Sequence, residues 1–158
     1  MTNFSALNLP AFEAKLKNTK SEPEIFDPVR KKFVALTPEE WVRQHVINLL
    51  INYQGVPAGL IAVEKSFMYN SRIYRADIVV YANTLKPLLL VECKAPTATL
   101  SQRTYEQAFK YNLVMKVPYL WITNGIKNFI SEITYLPPQN RFLDYVPNYE
   151  EMTRFLTK

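Results

Sequence analysis

Hydrophobic side chains recur at helical spacing in the segment TPEEWVRQHVINLLINY, which spans residues 37–53. The positions at three- and four-residue intervals form one apolar stripe: Trp41, Val42, His45, Val46, Leu49, Leu50 and Tyr53. Such a stripe is typical of an amphipathic helix that packs on a core. Thr37 is a suitable N-cap, Pro38 suits the first helical position, and Glu40 stands where a capping box needs its acid. The pattern predicts a helix that ends near Gly55.

Apolar runs, some of them alternating with polar residues, predict five strands further along the chain. They are LIAVEKSFMY (60–69), IYRADIVVYA (73–82), LLLVECK (88–94), PYLWITN (118–124) and NFISEITY (128–135). The polar residues Asn70, Ser71 and Arg72 form the turn between the first two strands. Between the third and fourth strands, TLSQRTYEQAFKYNLVMK (99–116) has the spacing of a second amphipathic helix.

The predicted elements of the central part follow the order α-β-β-β-α-β. This order favours an α/β fold in which a central mixed sheet is flanked by helices. At this length we expect a single domain over residues 1–158, with its core at residues 37–134.

The two ends of the chain are expected to be extensions of that core. In residues 1–36, the turn signal Asp27-Pro28 lies between two short extended pieces and predicts a short hairpin. Residues 135–158 are expected to be irregular after Pro137-Pro138 and to end in a short helix from Tyr149.

Composition supports a packed globule with an anionic partner. The chain is 48% hydrophobic and 13% aromatic, which argues against disorder. Nineteen basic residues face fourteen acidic ones, for a net charge of +5, and this surplus favours a partner such as a nucleic acid. The basic cluster Arg30-Lys31-Lys32 is either solvated surface or a contact to a phosphate backbone.

Several classes of protein are excluded by the residues that are scarce. One cysteine and one histidine leave no disulfide within the chain and too few ligands for a cysteine-based zinc site. Three glycines permit neither a GxGxxG nor a GxxxxGK[ST] phosphate loop. The sequence has no signal-peptide pattern and no apolar run of about 20 residues, so we expect a cytoplasmic protein without a membrane partner.

Asp77 and Glu92 each interrupt an otherwise apolar strand. Because side chains alternate along a strand, Glu92 and Lys94 should share one face while Cys93 points to the other. The short connection NTLKP favours neighbouring strands, and neighbouring strands would bring Asp77 and Glu92 together.

A divalent cation between these carboxylates would offset their mutual repulsion and loss of hydration. Magnesium prefers oxygen ligands and binds one or two carboxylates together with water and substrate phosphate. The peptide carbonyl of Cys93 is a further candidate ligand. Lys94 would orient or activate the attacking water and offset phosphate charge. The pattern therefore indicates phosphodiester hydrolysis with Mg2+, for which Mn2+ is the expected substitute.

A purely structural interpretation of the same strands stays open. Alternation places Arg75 on the face of Asp77, and Ala76 and Ile78 on the opposite face. Asp77 would then pair with Arg75, and Glu92 would form an ion pair at the end of its strand with the neighbouring lysine.

The second helix carries two further candidates. Gln107 and Tyr111 lie four residues apart and hence on one helix face. Both would line the cleft and contact phosphate or metal-bound water, or else Tyr111 covers the core and Gln107 faces water. Arg75 is another candidate for contact with nucleic acid in the cleft.

Residues of the first helix and first strand also have two interpretations. Glu40 either completes the helix cap or reaches the metal through water. Arg43 either faces solvent or binds phosphate, and Glu64 is either a surface charge or part of the cleft. His45 lies on the apolar stripe and is expected to be a core histidine, and Cys93 is expected to be a buried small hydrophobe.

These residues and motifs resemble a known family. Asp77, a gap of fourteen residues, then Glu92-Cys93-Lys94 resembles the PD-(D/E)XK nuclease superfamily, and Gln107 with Tyr111 resembles the QxxxY motif of its RecB-like branch. The segments TPEEWVRQ, YRADIVVY, LLLVECKAP, EQAFKYN and PYLWITNG occur in one order. Together they look like the N-terminal nuclease domain of type I restriction enzyme R subunits, in its short stand-alone form, over Ile25 to Thr134.

The resemblance implies a restriction-endonuclease-like core and magnesium-dependent DNA cleavage. Asp77 and Glu92 would be metal ligands, Lys94 the catalytic lysine, and Glu40 the first-helix acid that assists the metal. Motor or specificity subunits are the implied partners beside DNA, and symmetric double-strand cleavage would favour a homodimer. The chain departs from the superfamily pattern at Ala76, where the motif has proline.

Two other functions remain open at this point. R subunits follow this domain with an ATP-driven translocase, for which the present sequence has no counterpart. One alternative is therefore a catalytically idle nucleic-acid-binding module of a larger restriction, defence or repair assembly. The other is a structure-selective nuclease that acts in repair on branched or single-stranded ends.

Overall fold

The computed structural model describes residues 4–154 and residue 156, apart from the side chains of residues 69, 111, 113 and 114. Three α-helices and nine strands are found there: β1 (Leu16–Asn18), β2 (Pro23–Asp27), β3 (Lys32–Ala35), α1 (Pro38–Asn52), β4 (Ile61–Tyr69), β5 (Arg72–Tyr81), β6 (Pro87–Cys93), α2 (Gln102–Met115), β7 (Tyr119–Thr123), β8 (Asn128–Tyr135), β9 (Pro138–Leu143) and α3 (Tyr149–Arg154). No helix of these residues is long and apolar enough to cross a membrane.

The strands form two sheets. The larger one has the order β4-β5-β6-β7-β8-β9, with β6 and β7 parallel and every other pair antiparallel. The smaller one is an antiparallel sheet of β1, β2 and β3. The expected α/β class with a mixed sheet is therefore confirmed.

Helices α1 and α2 cover opposite faces of the large sheet. Leu89 and Val91 of β6 belong to a buried cluster with Val46 of α1, whereas Leu90 belongs to a second cluster with Ala108 of α2. Because neighbouring residues of a strand point to opposite faces, the two clusters lie on the two sides of the sheet. Residues 88–91 of β6 are all apolar because both faces of this strand are buried.

The caps of the two long helices follow the local sequence. The Thr37 side chain accepts the backbone N–H of Glu40 at 3.0 Å, as expected for an N-cap. Ser101 and Thr104 form a reciprocal capping box at the start of α2. The predicted capping box of α1 is wrong in its second half, because the Glu40 carboxylate is used elsewhere.

The segment after Pro137-Pro138 is a strand, and the prediction of an irregular chain was wrong. Residues 138–143 pair antiparallel with β8 and form the edge of the large sheet. An edge strand that is exposed along nearly its whole length has no apolar alternation to reveal it. The short helix expected from Tyr149 is present as α3.

The N-terminal hairpin around Asp27-Pro28 is present as β2 and β3. A third strand, β1, was not predicted, because all three of its residues are exposed and show no period. Asp27 itself is fully buried. Its carboxylate accepts the backbone N–H groups of Val29 and Arg30 and so fixes the turn.

Candidate active site

Asp77 and Glu92 meet where β5 and β6 begin to separate. The register pairs Ile78 with Val91, and the next residues along the two strands are Asp77 and Glu92. Their carboxyl groups lie within hydrogen-bonding reach of each other. Asp77 also accepts the backbone N–H of Cys93 through Oδ2 at 2.7 Å, so the end of β6 holds this carboxylate in place.

The electrostatics of Glu92 reflect this crowding. Burial raises its pKa, and the charge of Asp77 and the hydrogen bond between the two acids raise it further. Lys94 acts in the opposite direction, yet the pKa of Glu92 remains at about 8. Burial beside Asp77 therefore favours the protonated form of Glu92, because two neighbouring carboxylates that have lost hydration repel each other when both are ionised.

Lys94 and Gln107 border the same small cavity as Glu92. The cavity has a volume of about 100 Å³ and lies between the end of β6 and helix α2; its lining is Glu92, Lys94, Thr104, Gln107, Ala108 and Ile122. The Lys94 backbone N–H donates to the Thr123 carbonyl at 2.8 Å, which extends the parallel β6–β7 pairing by one residue. The side chain of Tyr111 lies outside the described part of the structure.

Asp77 contacts α1, and the strand beside it, β4, is distorted at the same level. Glu64, the residue across from Asp77 in the β4–β5 register, has a φ of 53°. Ile78 packs in the cluster of α1, but Ala76 packs in the cluster of α2. The expectation that Ala76 and Ile78 share one face is therefore wrong, because regular alternation is interrupted between them.

Arg43 pairs with Asp77, and Arg75 does not. The Arg43 guanidinium donates to Asp77 Oδ1 at 2.8 Å and to Glu40 Oε1 at 2.8 Å. Arg43 is buried to 6% exposure, whereas Arg75 is exposed. The predictions of a solvent-facing Arg43 and of an Asp77–Arg75 pair were wrong, since Arg43 is buried as the counter-ion of Asp77 and Glu40. Phosphate binding by Arg43 stays a prediction. Burial opposes its charge, but the bonds to Asp77 and Glu40 raise the pKa of Arg43 above its usual value.

Arg30 extends this network to the N-terminal sheet. It donates to Glu40 Oε1 at 2.7 Å and to Asp27 Oδ2 at 2.6 Å, and it lies 3.5 Å from Glu64. Burial would raise the pKa of Asp27, but the hydrogen bonds from Arg30 and Val29 outweigh it and lower that pKa. Arg30 is therefore a structural ion-pair partner, and the Arg30-Lys31-Lys32 cluster does not act as a unit.

Glu40 and Glu64 border a second cavity beside the acids. This cavity of about 370 Å³ is lined by Arg30, Val34, Ala35, Thr37, Glu39, Glu40, Arg43 and Glu64. Glu64 is about half exposed and lies 3.8 Å from Arg43. Five acids thus surround two arginines: Asp27, Glu39, Glu40, Glu64 and Asp77. This excess of negative charge favours a bound cation.

Glu39 is a site residue that the sequence interpretation missed. Partial burial and the negative charge of Asp77 raise its pKa, while Arg43 and Lys94 lower it, so Glu39 interacts electrostatically with the site. The signal was present in the sequence: Glu39 and Arg43 are four residues apart and share a helix face, on which they lie 3.8 Å apart. The capping-box pattern indicates Glu40 instead.

Two residues expected in the core are found there. His45 is buried between the rings of Phe12 and Trp41, and its Nδ1 bonds to the Trp41 carbonyl at 2.8 Å. Cys93 is fully buried, and burial raises the pKa of its thiol well above the usual range. Neither side chain is available for chemistry at the surface.

The paired carboxyl groups have the chemistry of a magnesium site. Asp77 and Glu92 supply two oxygen donors, and water or substrate oxygens usually complete such a sphere. In the part of the chain that the structure describes, no group of three or more His, Cys, Asp or Glu side chains is arranged around a common metal position. A cation here would therefore depend on two side chains.

The comparisons with known proteins identify the family. The model of the type I restriction enzyme R protein N terminus (HSDR_N) matches residues 38–147, and no curated protein sequence matches the chain. A solved fragment assigned to an HsdR subunit of a type I restriction enzyme from Vibrio vulnificus YJ016 is similar in fold, with a TM-score of 0.54 and 21% identity. The alignment covers 77% of this chain and 25% of that longer one. Because the family match takes in most of the sequence and all of the site strands, this chain belongs to the family of type I restriction enzyme R protein N-terminal domains.

Proposed function

We propose that this chain is a metal-dependent endonuclease domain of the PD-(D/E)XK type that hydrolyses DNA phosphodiester bonds. The observation that carries the proposal is the contact between the Asp77 and Glu92 carboxyl groups beside Lys94, in a chain of a restriction-enzyme family. The succession of α1, β4, β5, β6, α2 and β7 supports an α-β-β-β-α-β nuclease core.

Asp77, Glu92 and the Cys93 carbonyl would hold a magnesium ion in this domain. When bound, Mg2+ supplies positive charge that stabilises the negative charge developing on the phosphate. The raised pKa of Glu92 supports the fit, because a cation beside the two acids would offset the repulsion and the loss of hydration that raise this pKa. Since Glu40 is already bonded to Arg43, the contacts favour Glu39 as the first-helix acid that assists through water.

Lys94 and Gln107 would act on the water and the phosphate. An ammonium group beside Glu92 can orient a water for attack and offset phosphate charge in a cavity partly closed to solvent. Gln107 borders the same cavity and would donate to a phosphate oxygen or to the attacking water. Gln107 and Tyr111 together match the QxxxY motif, and a role of Tyr111 in the cleft stays a prediction.

DNA is the proposed substrate, and other subunits of a restriction assembly are the proposed partners. The family is that of a type I restriction enzyme R protein, and the similar solved fragment is a much longer chain. Motor and specificity functions would then belong to other polypeptides or other domains. The homodimer expected for symmetric double-strand cleavage stays a prediction.

Plasmid nicking tests the catalytic proposal directly. Wild-type protein should nick or cut supercoiled plasmid with Mg2+ or Mn2+, and EDTA should abolish the activity. Lys94→Ala and Glu92→Gln should each lower the rate by about 100-fold or more, because groups that act on the transition state typically contribute this much. Lys86→Ala, at an exposed lysine in the turn between β5 and β6, should keep the wild-type rate. Equal residual nicking by wild type and Lys94→Ala would contradict the proposal.

A catalytically idle DNA-binding module is the second candidate. The observation that favours it is the Arg43–Asp77 ion pair, which already neutralises one of the two expected metal ligands. This candidate predicts DNA binding without metal-dependent nicking. Fluorescence anisotropy measures DNA binding, and the plasmid assay measures nicking. The nuclease should show both, whereas the idle module should show binding alone.

A further inference from the structure

The hairpin formed by β4 and β5 extends beyond the candidate active site. Its paired part runs from Lys65 opposite Ala76 to Tyr69 opposite Arg72. We call residues 65–76 the β4–β5 arm. β4 is the outermost strand of the large sheet, so the arm has a free edge.

One face of the arm packs on the protein. Ala76 is buried in the core cluster beneath α2, and Phe67 packs against the same cluster. Phe67 also stacks on Tyr74, the residue opposite it on β5. These contacts attach the arm to the body of the domain and fix which face is turned outward.

The outward face carries an exposed apolar pair. Met68 and Ile73 are direct cross-strand partners and are 73% and 74% exposed. Ser66 and Arg75 are the next pair on that face, and both are exposed. Two large apolar side chains that are adjacent and this open to water indicate a contact surface.

The same face leads into the acids of the candidate site. Alternation from Ile73 through Arg75 along β5 reaches Asp77. At about 3.3 Å per residue, Arg75 is about 7 Å and Ile73 about 13 Å from Asp77 along the strand. Because 13 Å is about four base-pair steps of 3.4 Å, one duplex can contact all three positions.

The charge of the arm complements a polyanion. Residues 65–76 contain Lys65, Arg72 and Arg75 and no acidic residue. Within the described part of the chain, none of these three side chains forms an ion pair. The arm therefore presents positive charge close to the candidate site, with Arg75 on its outward face, and the phosphate groups of a bound strand would compensate this charge.

We propose that the β4–β5 arm is a DNA-binding element, in which Arg75 contacts a phosphate and the Met68–Ile73 pair on the same face inserts between bases. Apolar wedges of this kind unstack a base step and bend the duplex, which brings more of the backbone into contact with the protein. This inference rests on the proposed function, since it takes DNA as the ligand. The unpaired basic residues favour DNA over a protein partner for the same surface.

Binding measurements on four variants test the arm. The protein carries Lys94→Ala and the buffer contains EDTA, so that affinity is measured without cleavage. Arg75→Ala should weaken binding about threefold at low salt. It should also reduce the slope of log affinity against log salt by about 0.9, because each phosphate that an arginine neutralises adds about this much to the slope. The matched control for charge is Lys86→Ala, which should change neither quantity.

The wedge is tested with 2-aminopurine placed in the duplex, whose fluorescence rises when the base unstacks. Wild-type protein should increase the fluorescence, and Met68→Ser combined with Ile73→Ser should remove the increase while leaving the salt slope unchanged. The matched control for exposed apolar area is Leu85→Ser, at a residue that is 71% exposed in the turn between β5 and β6. All substituted residues are exposed, and unchanged thermal unfolding verifies that each variant is folded.

The outcomes separate this inference from the proposed function. If wild-type protein binds and nicks DNA but the arm variants behave like the controls, the arm inference is overturned and the nuclease proposal stands. A surface that instead docks on another protein chain would give this result. If wild-type protein does not bind DNA, both proposals fail. Loss of affinity in the arm variants alone supports the arm as a DNA-binding surface.

Discussion

Arg43 is the residue that determines whether the buried acids can be tolerated. Its guanidinium bonds to Asp77 and Glu40, and its removal would leave the Asp77 carboxylate without its counter-ion in a largely buried setting, while Glu40 would keep only Arg30. Arg43→Met should therefore lower the free energy of unfolding by about 3–5 kcal/mol. Urea denaturation followed by circular dichroism measures the change.

The matched control for Arg43 is an exposed ion pair. Arg141 donates to Glu132 at 2.7 Å, but its side chain is 66% exposed. Arg141→Met should cost less than about 1 kcal/mol, because water screens and replaces such a pair. Equal losses in the two variants would mean that the buried network contributes no more than a surface contact.

His45 should make the stability of the chain depend on pH. Burial lowers its pKa, and the bond to the Trp41 carbonyl only partly opposes this. In the unfolded chain the pKa is near 6.5, so below that pH the unfolded state binds a proton that the folded state does not. Stability should fall by about 1.4 kcal/mol per pH unit from about 6.5 down to the lowered folded-state pKa.

A comparison of wild-type protein with His45→Gln isolates this effect. His45 is the only histidine of the sequence, so no other imidazole contributes. The difference in unfolding free energy between the two proteins should change from pH 7.5 to 5.5, with the wild type losing more. A constant difference over this interval would show that the His45 pKa is the same in the folded and unfolded states.

At the residue scale, the sequence predicted that Asp77 and Glu92 are neighbours. It did not predict that Arg43 is the ion-pair partner of Asp77. Asp77 and Glu92 were recognised because a carboxylate in an apolar strand is unusual. Arg43 looked like an ordinary polar residue of an amphipathic helix, because helical periodicity does not distinguish solvent from a buried acid. Its partners outside α1 come from β4 and β5, which no local pattern connects to α1.

At the element scale, the end of α2 is held in an uncommon conformation. Lys116 follows the helix with φ 52° and ψ 45°, and its N–H donates to the Asn112 carbonyl. Glycine is the residue usually found at this left-handed position, because a side chain raises its energy. Lys116→Gly should raise the free energy of unfolding by about 0.5–1 kcal/mol.

The same substitution within the helix provides the control. Lys110 is an exposed residue of α2 with helical backbone. Lys110→Gly should lower the free energy of unfolding by about 1 kcal/mol, because glycine is a poor helix former. Thermal or urea denaturation of both variants should therefore give changes of opposite sign. A loss in both would show that Lys116 is not strained.

Buried elements were predicted more reliably than exposed ones. The core strands and both long helices were found because burial on one or two faces imposes a period on the sequence. β1 and β9 lie at sheet edges and are mostly exposed, so their sequences show no hydrophobic period. Backbone hydrogen bonds to the neighbouring strands hold them in the extended conformation. The positive φ of Glu64 could not be predicted from the local sequence either, because a non-glycine residue adopts this conformation only when its surroundings stabilise it.

At the scale of the whole molecule, the C-terminal segment is part of the core. Met152 of α3 is fully buried in the cluster that α1 covers, and Leu143, Val146 and Tyr149 pack against this cluster. Gln54 at the end of α1 donates to the Val146 carbonyl at 2.6 Å. A core that ends at residue 134, as the sequence suggested, would leave these contacts out.

Met152 therefore links the stability of the C-terminal segment to that of the whole chain. Met152→Ala should lower the global free energy of unfolding by about 2–5 kcal/mol, because it leaves a cavity beneath α1. Glu150→Ala, at an exposed position of the same helix, should change it by no more than about 0.5 kcal/mol. Urea denaturation followed by both tryptophan fluorescence and circular dichroism should show one cooperative transition in each case. If Met152→Ala instead splits the transition and leaves the main one at the wild-type midpoint, α3 is an appendage, and residues 37–134 form an independent core after all.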